Sequence, residues 1–164
     1  MIFKQWKQVI GLELPLKTQT RRPVKPDEEL LYQTKSGFTW WDEDREQLAT
    51  VATVYPPRIV GPDLRIKWQV GRTYAVQPGR GKKAVGRIRI TKIRRERLGD
   101  ISAEDIFAEG VGIYNLTDGR WYPITVLEVA REEYAKLWDS IYGKGAFERM
   151  KDDDVWVLEF ERVE

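Results

Sequence analysis

The chain of 164 residues contains no cysteine and no histidine, and only two methionines. Without cysteine there is no disulfide framework and no thiol nucleophile, so a covalently stapled secreted fold is excluded. The same two absences remove the ligand sets of nearly all zinc, haem and iron–sulfur sites, together with the imidazole base. Side-chain chemistry must therefore run on Lys, Asp, Glu, Thr, Ser, Tyr or backbone groups, and neither a metal nor a cofactor is expected. No apolar run approaches the roughly 18 residues of a membrane span, and Met1-Ile-Phe-Lys-Gln-Trp-Lys7 has no signal-peptide core. The expectation is a soluble, cytoplasmic protein with no membrane partner.

What is present is 41% hydrophobic and 33% charged residues with seven tryptophans, enough chain for one domain with its own core. The net charge of +2 hides an uneven layout. Residues 1–25 carry six Lys/Arg against Glu13 alone, and residues 80–97 carry nine against Glu96 alone. Residues 98–164 carry seven against sixteen acids. Two basic segments before an acidic C-terminal third describe either a fold with one basic face or the solvated side of ordinary strands.

Residues 84–93, Ala-Val-Gly-Arg-Ile-Arg-Ile-Thr-Lys-Ile, alternate with Ile88 and Ile90 on one face and Arg87, Arg89 and Thr91 on the other. That is a half-buried strand with a basic outer face. Asp154 to Val163 repeats the pattern, with Trp156, Leu158 and Phe160 against Glu159 and Glu161, and should pair in the same sheet. Asp118-Gly119 between two β-prone runs marks a hairpin, and Lys35-Ser-Gly37 marks a weaker one. Ser102-Ala-Glu-Asp105 opens a short helix that Gly110 stops. A longer helix begins near Glu128 or Arg131, carries Tyr134, Leu137, Trp138 and Ile141 inward and ends at Gly143, and residues 4–13 supply a third candidate. Short strands outnumbering short helices indicate an α+β domain on an antiparallel barrel or strongly twisted sheet.

Residues 14–23 read Leu-Pro-Leu-Lys-Thr-Gln-Thr-Arg-Arg-Pro. Lys17, Thr18, Thr20, Arg21 and Arg22 offer several donors to an anion or planar polar ligand at once, or form an exposed basic loop. The run resembles the signature of the ASCH domain family, Gly-x-Lys-x-x-Thr-x-Arg, with Lys17, Thr20 and Arg22 on its Lys, Thr and Arg and Pro15 standing where the family has Gly. Gly86 to Ile93, Leu98 to Ser102, Ala108-Glu-Gly110, Trp138 to Gly143 and Val155 to Glu161 are similar to the family in order and approximate spacing. The resemblance covers about residues 14–23, 71–111 and 131–162. Residues 24–70 and the 113–126 hairpin look like additions to a single ASCH domain spanning 1–164.

The resemblance implies a PUA-like antiparallel β-barrel with a few short flanking helices, related to RNA-binding domains, in which the Lys-x-x-Thr-x-Arg loop meets the acid of the Ala-x-Glu helix. It implies an RNA, nucleoside or nucleotide ligand. Some small bacterial members are amidohydrolases of N4-acetylcytidine, and their catalytic set maps here to Lys17, Thr20 and Glu109; other relatives are ribonucleases. Without the family, Glu109 reads as an ordinary exposed residue before a helix-ending glycine.

Around that trio, Arg21 and Arg22 are candidate ligand contacts. Arg80, Lys82 and Lys83 lie in a glycine-containing basic turn, and with Arg87, Arg89, Arg94, Arg95 and Arg97 they are candidates for a phosphate track. Among the aromatics, Trp40 and Trp41 are adjacent, so on a strand one of them faces out and can stack on a base. Trp68, Trp121 and Tyr122 are further stacking candidates, whereas Trp6, Trp138 and Trp156 fit the core by periodicity.

Overall fold

A computed structural model of the protein describes residues 1–25 and 68–163 in full, and between them the backbone of five short strands. The elements in order are α1 (Trp6–Val9), β1 (Gln19–Pro23), β2 (Glu28–Glu29), β3 (Leu31–Thr34), β4 (Gly37–Asp42), β5 (Gln47–Ala52), β6 (Arg65–Ile66), β7 (Thr73–Val76), β8 (Gly86–Arg97), α2 (Ala103–Ala108), β9 (Ile113–Asn115), β10 (Arg120–Tyr122), α3 (Leu127–Tyr142), α4 (Ala146–Met150) and β11 (Asp154–Val163). The main sheet is antiparallel with the order β1-β11-β8-β7. The architecture is α+β: one four-stranded antiparallel sheet, smaller sheets and a few helices.

In β8 the alternation holds through Ile88 and Ile90, which are buried, while Arg87, Arg89 and Thr91 are exposed. The next buried residue is Ile93, three positions on, because Lys92 pairs with Glu159 and Ile90 with Phe160, so that Thr91 is an extra residue without a partner. A bulge of this kind resets the facing of a strand and increases its twist.

The central strand β11 differs from a half-buried strand. Trp156, Leu158 and Phe160 fill one face, but Val155 and Val157 are equally buried on the other, against a cluster built from Ile106, Tyr134 and Trp138 of the helices. Each Val, Leu or Ile removed from water in this way contributes about 1.5–3 kcal/mol, so the two-sided burial of β11 is the principal tie between sheet and helices.

Ser102 caps α2 by accepting from the Asp105 N–H at 3.1 Å. Asp139, near the end of α3, accepts from the N–H groups of Gly145 (2.7 Å) and Phe147 (2.9 Å) and so fixes the start of α4. Helix α1 is a single turn, shorter than the candidate span of 4–13. Ile141 is exposed on α3, contrary to its expected inward facing, while Tyr134 and Trp138 are buried as expected. Strands β9 and β10 form the hairpin marked by Asp118-Gly119, closed by four residues with Gly119 at φ 69°. Strands β3 and β4 pair antiparallel as far as Thr34 and Gly37, and Lys35 and Ser36 of the weaker turn signal lie outside the described residues. Among the described residues no helix is long and apolar enough to cross a membrane.

Candidate functional site

Strand β1 is an edge of the main sheet, and its outer side faces the end of α2 and one side of α3. The loop before it is clamped at its base: Lys17 N–H donates to Gln8 O (3.3 Å) and Thr18 N–H to Ala108 O (2.9 Å). Gly110 closes α2 at φ 86°, and Gln8 Nε2 donates to its carbonyl at 3.0 Å. These contacts bring residues 17–22 against residue 109 across some ninety positions of sequence.

Lys17, Thr20, Arg21, Arg22 and Glu109 line one cavity of about 320 Å³, together with residues 2–5, Pro78 and an aromatic wall of Tyr134, Trp138 and Tyr142. Ligand pockets run from about 300 to 1,000 Å³, so the space suits one small polar molecule or one unit of a polymer. Lys17 Nζ donates to Glu109 Oε2 at 2.5 Å and to the Glu109 carbonyl at 2.8 Å. The exposed-loop alternative is overturned here, since Lys17, Thr20 and Arg21 are all buried. Glu109 is buried too, at 2% exposure, and is no ordinary surface residue at a helix end.

Arg21 supports the pair from behind. It donates to Asp105 Oδ2 (2.7 Å), Glu96 Oε2 (3.0 Å) and, at the limit of reach, Glu109 Oε1 (3.5 Å). Gln19 completes the set, with its amide donating to Asp105 Oδ1 (3.1 Å) and accepting from Arg21 Nη1 (2.7 Å). Arg94 joins Asp105 at 2.7 Å and also bonds Glu96 and Glu159. The guanidinium of Arg21 is thus held mainly by carboxylates of the protein, whereas Arg22 donates to Ile2 O (2.7 Å) and lies over the Phe3 ring. Thr20 makes no side-chain hydrogen bond among the described residues.

The electrostatics follow from this packing. Burial pushes the Lys17 ammonium below the usual lysine value; Glu109 opposes that, and Arg22 and Arg21 add to it. Burial also drives the Tyr134 hydroxyl well above its usual range, with the Glu109 charge adding to it, so Tyr134 stays a neutral donor. Burial raises the Asp105 carboxyl, but hydrogen bonds and charge from Arg21 and Arg94 outweigh it and hold the group below its ordinary value.

The basic segment 80–97 is less uniformly basic in three dimensions than in sequence. Strand β11 brings Glu161 to Arg89 (3.2 Å) and Glu159 to Lys92 (3.7 Å), and Asp154 meets Arg95 (2.7 Å). Arg80, Lys82, Lys83 and Arg87 are exposed with no ion-pair partner among the described residues, and the turn that bears the first three follows Pro78 at the cavity wall. Trp40 and Trp41 sit on β4, paired with β3 and β5, and their side chains lie outside the described residues. Trp68 is buried beside Trp156 and Ile90 and is unavailable for stacking.

A second depression, of about 570 Å³, mixes Lys25, Arg95 and Arg97 with Asp152, Asp153 and Asp154. It is the larger of the two, but its lining charges offset one another. Among the described residues no three acidic side chains are grouped to hold a metal ion. Sequence reasoning missed Asp105, Glu96, Tyr134 and Tyr142 as site residues, and it placed Arg94 on a phosphate track, whereas Arg94 is held by Asp105, Glu96 and Glu159. Asp105 was within reach of such reasoning, because position i−4 from Glu109 lies on the same helix face. Comparison of the chain with family models, curated proteins and solved structures finds no match.

Proposed function

We propose that the protein is an RNA- or nucleotide-binding module of the ASCH type, a PUA-like barrel whose ligand enters the cavity lined by Lys17, Thr20, Arg21, Arg22 and Glu109. One observation carries the reading: cationic and hydroxyl groups of β1 are buried with a carboxylate and an aromatic wall around one cavity. Such a lining offers donors to base carbonyls or phosphate and faces on which a ring can lie. The barrel is supported by the bond from Arg22 to Ile2 O, which links edge strand β1 to a segment running beside the end of β7. The exposed Arg80, Lys82 and Lys83 beside Pro78 suit the backbone phosphates of a longer strand.

A second reading is a metal-independent hydrolase of a modified nucleoside amide such as N4-acetylcytidine, and the lowered pKa of Lys17 favours it. In that reaction Lys17, as the neutral amine, takes the Thr20 proton while the Thr20 oxygen bonds to the amide carbon. The Glu109 carboxylate, 2.5 Å from the Lys17 ammonium so formed, relays that proton to the nitrogen as the C–N bond breaks, and water then hydrolyses the threonine ester. A ribonuclease using the same three residues is the variant of this reading for an RNA substrate.

The test is incubation of the purified protein with N4-acetylcytidine and with a labelled RNA, followed by chromatography. Salt-sensitive retention of intact RNA supports the binding module. Release of cytidine, abolished by Lys17→Ala, establishes the hydrolase instead. Neither binding nor turnover sinks both.

A further inference from the structure

The loop that delivers Lys17 has inverted polarity. In Leu12-Glu-Leu-Pro-Leu-Lys17 the three leucines are 70%, 57% and 49% exposed, while Pro15 and Lys17 between and after them are buried. Burial would favour the opposite facing. The loop is also held at its base, since Arg162 Nη1 donates to Ile10 O (2.6 Å), Leu12 N–H to Lys7 O (2.8 Å) and Lys17 N–H to Gln8 O (3.3 Å). Leu16 directly precedes Lys17, whose side chain lines the cavity, and it is exposed where Lys17 is buried, so the apolar crest lies one residue along the chain from the cavity wall without lining it.

We propose that Leu14 and Leu16 form an apolar wedge that enters a base stack of RNA and keeps one base unstacked for the Lys17 cavity. The inference rests on the RNA-binding reading of that cavity and adds how a stacked base reaches it. A leucine side chain can separate stacked bases because it covers the ring face that stacking had covered, and apolar wedges of this kind unstack base steps in bent nucleic acids. Charge complementarity selects this occupant. Lys4 lines the cavity, and Arg80, Lys82 and Lys83 stand exposed on the turn after Pro78, itself a lining residue, so the phosphates of a strand held at the cavity have cations within the same stretch of surface. A lipid surface would use the leucines and the cations but leave the buried donors of the cavity without a role.

The experiment uses an RNA duplex carrying one 2-aminopurine, whose fluorescence rises on unstacking, and 2-aminopurine riboside monophosphate as a probe of the cavity alone. The full chain should bind both and raise the duplex fluorescence. Leu14→Ser with Leu16→Ser should bind the monophosphate unchanged and lose the rise, and Leu14→Met with Leu16→Met should retain it. Duplex binding with no fluorescence rise, or a rise unaffected by the serine variant, overturns the wedge and leaves the RNA reading standing. Failure to bind either probe overturns the RNA reading and the wedge together. Sedimentation with phosphatidylserine vesicles that the serine variant abolishes, with no change in duplex fluorescence, overturns the proposal in favour of a lipid surface.

Discussion

The Lys17 ammonium lies 2.5 Å from the Glu109 carboxylate, with both side chains at 5% exposure or less. Two opposite charges so nearly removed from water are costly to separate, because whichever remains is left without a counter-charge or solvent.

Lys17→Ala and Glu109→Ala should each cost about 3–5 kcal/mol, read as a lower urea midpoint. Lys17→Met combined with Glu109→Leu should recover most of that loss, since the pair is replaced by apolar groups of similar volume. A double variant as unstable as the sum of the singles would show that the two residues are not coupled.

Asp105 sets an acid limit. Its carboxyl is held below its ordinary value of 3.8 in the folded chain, so the stabilisation it contributes is complete above that value and is lost as pH falls through it toward the folded value. Asp105→Asn should lower stability at pH 7 and make the acid limb of a thermal-melting profile less steep. An unchanged acid limb would contradict the role given to Arg21 and Arg94.

Gly110 and Gly71 separate backbone strain from contact. Both have positive φ, 86° and 79°, but an added Cβ at Gly110 would meet Gln8 Oε1 at 2.7 Å, whereas at Gly71 it would meet nothing within 4 Å. Gly71→Ala should cost about 1–2 kcal/mol, and Gly110→Ala should cost more by roughly 1 kcal/mol through the displaced Gln8 clamp. Equal melting shifts for the two variants would place no weight on Gln8.

The basic turn and the paired strand cations should differ in RNA binding. Alanine at Arg80, Lys82 and Lys83 should lower the slope of log affinity against log salt by about 2, at roughly 0.7 per phosphate contact on a single strand. Alanine at Arg89 and Lys92, which already face Glu161 and Glu159, should change it less. Fluorescence anisotropy of a labelled RNA across a salt series measures both.

Much of the local structure was legible in the residues. The Ser102 cap, the Gly110 and Gly143 stops, the Asp118-Gly119 hairpin and the facing of Ile88 and Ile90 all arise from interactions within a few positions. Legibility failed where a remote partner intervened. The two-sided burial of β11 depends on helices that pack over Val155 and Val157, and the neutralised part of the basic face depends on Glu159 and Glu161 from another strand. The lowered pKa of Lys17 needs both its burial and its neighbours.

By itself the sequence determined which chemistry is possible, because a chain without cysteine or histidine must act through Lys, Thr, Glu and their like, and it determined which segments alternate as strands. Only the tertiary structure decided that Lys17 and Arg21 are buried while Leu12, Leu14 and Leu16 are exposed. The reason is physical: facing and residue type are properties of the local chain, whereas burial and charge pairing depend on what distant segments bring into contact, here α2 across the edge of β1.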